Sequence, residues 1–366
     1  MLTIRENTQD YRELIVSDTP LIDLRSPTEF IKGSFNHAVS LPLMTDSERA
    51  QVGTCYKQLG KDQAIALGHQ LVCGDIKSAR MADWLAFAQS NPNGYLFCFR
   101  GGLRSNTVQK WLADEGADYP LVEGGYKAMR RFLIDESLRI VKQTPIYVLS
   151  GFTGVGKTRL LHSFSQTVDL EGLANHRGSS FGRNLTAQPS QINFENNLAT
   201  RLLKLESNKT GFLLLEDESL LIGARSIPLE IHQLMKQAPL IILQASLEER
   251  TEIIYQDYII DRLTRASALG IEDPVSVLHN YLLDAIAGIK KRLGDEGYRH
   301  VQKMISAAIK SQMNQNNSDE HRLWISHLLS VYYDPMYRFQ LAKKSERIIF
   351  TGVENEVKDF VNALEK

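Results

Sequence analysis

Apolar positions along the chain fall into two alternating patterns. Short compact runs, TPLIDLRS (19–26), GYLFCF (94–99) and YPLVEGG (119–125), are bounded by turn residues and predict buried strands. Between them, DIKSARMADWLAFAQS (75–90) places Met81, Trp84, Leu85 and Ala88 on one side of a helix, and LRSNTVQKWLADEG (103–116) is helical until Gly116 stops it. Strands alternating with helices imply a parallel sheet covered by helices. A charged helical stretch, YKAMRRFLIDESLRIVKQ, then leads to Pro145, and the pattern restarts. PIYVLSG (145–151), GFLLLEDE (211–218) and PLIILQAS (239–246) predict three more buried strands, about 247 to 340 reads as helix, and ERIIFTGVENEVKDFVNALEK closes the chain with a strand and a helix. The expected division is an α/β domain over 1–138 and a second over 139–366, the latter with a helical region at about 270–340.

Two strand ends carry chemistry. GFTGVGKT (151–158) matches G-x-x-x-x-G-K-[ST], with an apolar strand before it and a helix pattern after it, which is the context this phosphate loop requires. Gly151, Gly154 and Gly156 let the amides of the loop, Val155 included, turn around an anion, and the following helix adds its positive end. Lys157 is expected on the terminal phosphate and Thr158 on Mg²⁺. Its acidic partner belongs at the end of a buried strand, where Glu216, Asp217 and Glu218 stand; alternation does not say which faces the site, and Glu216 and Asp217 are the first candidates to join Thr158 at the metal. HRGSSFGRN (176–184) is either a segment that closes over an anion or an ordinary loop, so Arg177, Ser179 and Arg250 are candidate clamps. Arg262 and Arg265 either clamp phosphate as well or form surface salt bridges. Nothing reads as a nucleoside-base motif.

The other strand end is CFRGGLR (98–104). Loop amides, Arg104 and the start of the next helix would favour a nucleophilic thiolate at Cys98, and Arg100 completes an anion cradle around it. The glycines and arginines argue against burial of this thiol in an apolar core. Cys55 and Cys73 have no such surroundings. The spacing C-x5-R also occurs in phosphatases, but Phe97 stands where those have His, and no acid lies between 99 and 104.

Bulk properties narrow the partners. With 366 residues and a net charge of −1, the chain has no global basic field to attract nucleic acid, so a polyanion must use local patches such as 126–132, 289–303 or 341–348, each of which is otherwise a solvated helix face. Three cysteines make no disulfide framework, the first residues lack the layout of a signal peptide, and no apolar run suits a bilayer. A cytoplasmic setting without membrane contact is expected.

The residues carry a resemblance. PLIDLRSPTEFIKGSFNHAVSLPL (20–43) looks like the front half of a rhodanese domain, and CFRGGLRS with LVEGGYKAMRRF (121–132) sit where that fold has its active loop and following glycine turn. Joined to GFTGVGKT, ANHRGSSFG (174–182) and EDESLLIG (216–223), the whole to about residue 260 resembles the tRNA 2-selenouridine synthases. The resemblance implies an N-terminal rhodanese-like α/β domain plus a P-loop NTPase-like α/β domain with a helical C-terminal region. It implies a transferase acting on tRNA with 2-thiouridine at the wobble position. The sulfur is first geranylated from geranyl diphosphate and then displaced by selenium from selenophosphate. It also implies Cys98 as the essential cysteine, a selenophosphate-supplying enzyme as a possible partner, and no permanently bound cofactor. The geranyl chain needs an apolar pocket, which the sequence does not place. A P-loop ATPase or kinase with a regulatory rhodanese domain is the alternative, and a non-enzymatic tRNA- or persulfide-binding module a more distant one.

Overall fold

The computed structural model describes residues 5–209, 211–315 and 317–364 and divides into two compact units. The first comprises the chain up to Ile140 together with Ser190–Lys209; the second holds Val141–Pro189 and the described residues beyond Lys209. A single boundary at 138/139 therefore does not describe the chain, because a later segment returns to the first unit.

In the first unit, Ala38–Ser40, Leu21–Asp23 and Tyr95–Phe97 pair in that order as a three-stranded parallel sheet. Single parallel bridges, Leu96 to Leu121 and Thr8 to Val122, extend it. The expected strand at 119–125 is thus reduced to bridge pairings, because the chain turns at Gly124 and enters the helix Gly125–Gln143. Helix Gly74–Ser90 buries Met81, Trp84 and Ala88, and Trp84 Nε1 donates to Leu41 O at 3.0 Å. Two helices unforeseen in the sequence, Asp46–Leu59 and Lys61–Leu71, precede it; Thr45 and Glu48 cap the first of them reciprocally, side chain to backbone.

The returning segment is the helix Gln191–Ser207, with Ser190 Oγ accepting from Asn193 N at 3.1 Å as its cap. Asn193 Oδ1 accepts from Ser34 N and Asn196 Nδ2 donates to Ser34 O, both at 2.7 Å. Arg130 bonds Asn196 and Glu195, and Arg139 meets Glu206 at 2.7 Å.

The second unit is built on a five-stranded parallel sheet ordered Ile348–Gly352, Leu240–Leu243, Ile146–Gly151, Leu213–Glu216, Thr167–Val168. The central strand Ile146–Gly151 runs into the glycine loop, so the loop sits at the carboxyl edge of the sheet, where open α/β sheets bind ligands. Helices Leu247–Tyr255, Asp261–Ala268, Pro274–Gln315, His321–Leu328 and Asp334–Ala342 pack around a second core that includes Leu282, Ile286, Ile305 and Leu328. The long one breaks at Gly294, where φ is 79°.

Candidate active site

The glycine loop has the expected shape. Gly154 takes φ of 80°, and a Cβ there would stand 2.6 Å from the Ile254 side chain and 3.0 Å from Arg250 O, so only glycine fits the turn. Lys157 Nζ donates to Gly151 O at 3.2 Å. The following helix, Lys157–Leu161, is only five residues long, so its dipole is smaller than a full-length helix would supply.

Their partners separate the three acids. Glu216 and Glu218 lie together on one side of the strand end, and Asp217 points to the other. Glu216, 1% exposed, accepts from Thr158 Oγ1 at 2.8 Å. Asp217 instead accepts from Ser150 Oγ at 2.6 Å and pairs with Lys344 at 2.8 Å, so it is not disposed beside Thr158 as a metal ligand. A third acid, Glu171 from the short helix Leu170–Leu173, approaches Thr158 Oγ1 at 3.5 Å. Burial, first, and then their mutual repulsion hold the carboxyls of Glu171, Glu216 and Glu218 well above the usual range, while Lys157 pulls Glu171 and Glu218 back. Such a set of oxygen donors beside a hydroxyl suits a hard cation. Among the described residues no three His, Cys, Asp or Glu side chains hold a metal alone, so Mg²⁺ would take most of its shell from water and a phosphate ligand.

Around these groups lies a cavity of about 980 Å³. Its polar lining includes Gly151 and Thr153–Thr158, Arg177, Ser179, His232, Lys344 and Arg347. Its apolar lining includes Ile253, Ile254, Trp324, Ile325, Leu328, Leu329, Tyr333 and Met336. The 176–183 segment forms one side, closed by a bridge between His176 and Arg183; Phe181 anchors it by stacking on Trp324 at 5.8 Å. Arg177 and Ser179 thus line the cavity as candidate clamps, with Arg177 paired to Asp257 at 2.8 Å. Arg250 does not. It is 4% exposed and bidentate to Asp334 at 2.8 and 2.9 Å, which assigns its charge to a buried pair whose disruption costs about 3–5 kcal/mol.

In the first unit Cys98 is 4% exposed and packs with Leu24, Val108 and Leu112, so the flanking glycines and arginines do not keep it out of an apolar core. Its environment still favours thiolate. Burial pushes the thiol pKa up, but the Ser105 hydroxyl, the Arg100 N–H, the Arg104 guanidinium and the Ser105 N–H together bring it below the ordinary value. Ser105 Oγ has no ordinary hydrogen-bond partner, which leaves it free to donate to a charged sulfur. Arg100 contributes its backbone; its side chain is exposed. Gly125, at φ of 58°, seals the loop: a Cβ there would lie 2.2 Å from Cys98 O, and Tyr126 N donates to that oxygen at 2.9 Å. Beneath sits a buried pair, Arg25 on Asp23 at 2.6 Å, with the guanidinium 3.6 Å over the Tyr126 ring.

Arg104 is shared. It pairs with Glu29 at 2.9 Å; burial raises the Glu29 pKa, but Arg104 and Arg49 together hold it at about 2. Glu29 therefore withholds part of the Arg104 charge from the sulfur. Arg104→Ala is expected to raise the Cys98 pKa and Glu29→Gln to lower it, so at a fixed pH below that pKa the thiolate fraction falls in the first variant and rises in the second. The pH profile of iodoacetamide alkylation, read on the Cys98 peptide by mass spectrometry, checks both signs, and unchanged profiles would remove the electrostatic account.

Comparison with known proteins joins these two sites to one family. Residues 144–366 match the tRNA 2-selenouridine synthase AAA domain. The tRNA 2-selenouridine synthase of Pseudomonas syringae pv. syringae (strain B728a) is 49% identical over 353 residues, covering 96% of each chain. That of Pseudomonas putida (strain GB-1) is 49% identical with 98% of each covered, and that of Shewanella frigidimarina (strain NCIMB 400) 48% with 94% of each. With similarity of this extent over nearly its whole length, the chain belongs to the tRNA 2-selenouridine synthase family.

Proposed function

We propose that this chain is a transferase that replaces sulfur by selenium at the wobble 2-thiouridine of tRNA in two steps, with the second unit geranylating the sulfur and a rhodanese-like first unit serving selenation. The observation that carries the first step is the cavity that joins the glycine loop to a set of apolar side chains. A diphosphate is held by the amides of Gly151–Thr158 and by Lys157, and the ten-carbon chain lies against Ile254, Leu328, Leu329 and Tyr333. Burial there contributes about 0.8 kcal/mol per methylene.

In geranylation the sulfur at C2 attacks C1 of geranyl diphosphate, the C–O bond breaks, diphosphate leaves with the electron pair, and the uridine N3 proton is lost. Mg²⁺, held through Thr158 and Glu216, would neutralise charge on the departing diphosphate. Arg177 and Ser179 line the same cavity and take part in holding it. In selenation, selenium of selenophosphate attacks C2, geranylthiol departs with a proton, and water cleaves the Se–P bond to give phosphate and 2-selenouridine. The lowered thiol pKa and loop amides at Cys98 support a place for this residue in handling the selenium anion. The tRNA setting and three free thiols fit a cytoplasmic enzyme supplied by a selenophosphate-forming partner. Among the described residues no helix is long and apolar enough to cross a membrane.

Nucleoside mass spectrometry tests the reading. Protein, 2-thiouridine tRNA, geranyl diphosphate and Mg²⁺ are expected to give a geranylated nucleoside, and later addition of selenophosphate a selenium-containing one. Unmodified tRNA with ATP consumed instead would favour a P-loop ATPase or kinase.

A further inference from the structure

Four arginines beside the cavity are not all used by this chemistry. Arg177 and Arg183 stand near the two ends of the bridged segment, and Arg262 and Arg265 lie one turn apart on helix Asp261–Ala268. All four line a cleft of about 30 Å³, and Arg177 and Arg265 also line the large cavity, so the cluster borders that cavity. The cleft itself is far too small for a base.

These guanidinium groups are held in place but poorly neutralised. Arg262 lies 3.4 Å over the Tyr281 ring and donates to Arg183 O at 2.8 Å, while its buried Nε has no partner. Arg183 reaches Asp284 only at 3.3 Å, and both side chains are exposed, a pair worth little. Arg265 is exposed and forms no ion pair among the described residues. Arg159 and Arg177 share one carboxylate, Asp257. Asp261 also lies near Arg177, so the carboxylates that pair with or neighbour these arginines are Asp257, Asp261 and Asp284, in a chain whose net charge is −1. Burial and the neighbouring Arg183 and Arg177 hold the Arg262 pKa down, as expected for cations crowded without enough anions.

We propose that Arg177, Arg183, Arg262 and Arg265 hold the backbone phosphates that flank the modified nucleotide of tRNA, so that its base is presented to the cavity. Planar guanidinium forks match phosphate oxygens, and stacking on Tyr281 sets one fork in advance. Single-stranded loops are bound in this way, by a local basic surface beside a pocket for the extruded base. A nearly neutral chain needs such a patch to bind a polyanion at all. The proposal rests on the reading that the cavity is where tRNA meets its donor.

The test is the salt dependence of binding to a fluorescein-labelled tRNA transcript, followed by anisotropy across KCl concentrations. Each phosphate contact in a single strand contributes about 0.7 to the slope of log K against log [KCl]. Arg183→Ala/Arg265→Ala is expected to reduce the slope by about 1 to 1.5 with an unchanged melting temperature, since both side chains are exposed, and Arg183→Lys/Arg265→Lys to restore most of it. An unchanged slope overturns the proposal. If inorganic phosphate binding is lost while the slope stays, the arginines serve a small phosphate and the proposal is likewise overturned. Calorimetry of geranyl diphosphate with the unaltered protein is a separate arm: its failure overturns the reading of the cavity, and the tRNA slope still judges the arginines.

Discussion

A Lys157→Ala variant is expected to bind geranyl diphosphate about 10- to 100-fold more weakly and to form no geranylated nucleoside within the time the parent needs for completion. A charge-assisted hydrogen bond to a phosphate is worth roughly 1.5–3 kcal/mol, which sets that range. The effect at this position is compounded by its neighbours. Lys157 opposes the rise in the pKa of Glu171 and Glu218, so without it the site keeps its three acids and loses a nearby cation. An anionic donor then meets a less favourable field whichever protonation state the acids adopt. Titration calorimetry at several pH values measures the loss. If affinity were unchanged, the prenyl donor would bind elsewhere and the large cavity would need another ligand.

Cys98→Ser is expected to separate the two half-reactions. Under the proposed function geranylation is carried out by the second unit and continues, whereas selenium incorporation falls on the order of 100-fold or more, so the geranylated nucleoside accumulates. The reason is ionisation: the hydrogen bonds and the Arg104 charge in this loop lower the thiol pKa below its ordinary value and favour thiolate, whereas a serine hydroxyl stays neutral. Serine places a hydroxyl in an apolar cluster, at a cost of about 1–3 kcal/mol, so the melting temperature is compared alongside. Nucleoside mass spectrometry distinguishes accumulation from general inactivity. Normal selenation by the variant would take the cysteine loop out of the chemistry.

Much of this was readable before any coordinates. The P-loop is legible because its glycine spacing encodes a backbone shape, and the strand Leu213–Glu216 because the apolar run FLLL (212–215) covers most of it. Other features depend on partners distant in sequence. Glu171 joins Glu216 and Glu218 from a helix of four residues, and its own surroundings, DLEGLAN, carry no signal of that meeting. The strand Thr167–Val168 is too short for any periodicity to show. Arg250 resembles a clamp in sequence because its partner, Asp334, lies 84 positions away. Cys98 shows how local chemistry misleads on burial: glycines and arginines flank it, yet its side chain follows the alternation of the strand inward while the loop amides still reach its sulfur.

Helix Gln191–Ser207 carries a consequence for inheritance. Seven of its residues, among them Phe194, Leu198 and Leu202, are buried, and it belongs to the first unit although 49 residues of the second, 141 to 189, are translated before it. A gene segment ending at residue 140 would encode a first unit with a hole where this helix belongs, and one starting there would carry a greasy helix with no home. The two halves are therefore interleaved rather than strung end to end. Recombination cannot exchange one for a foreign counterpart with a single crossover, and a ribosome must deliver more than half of the chain before the earlier unit can finish folding.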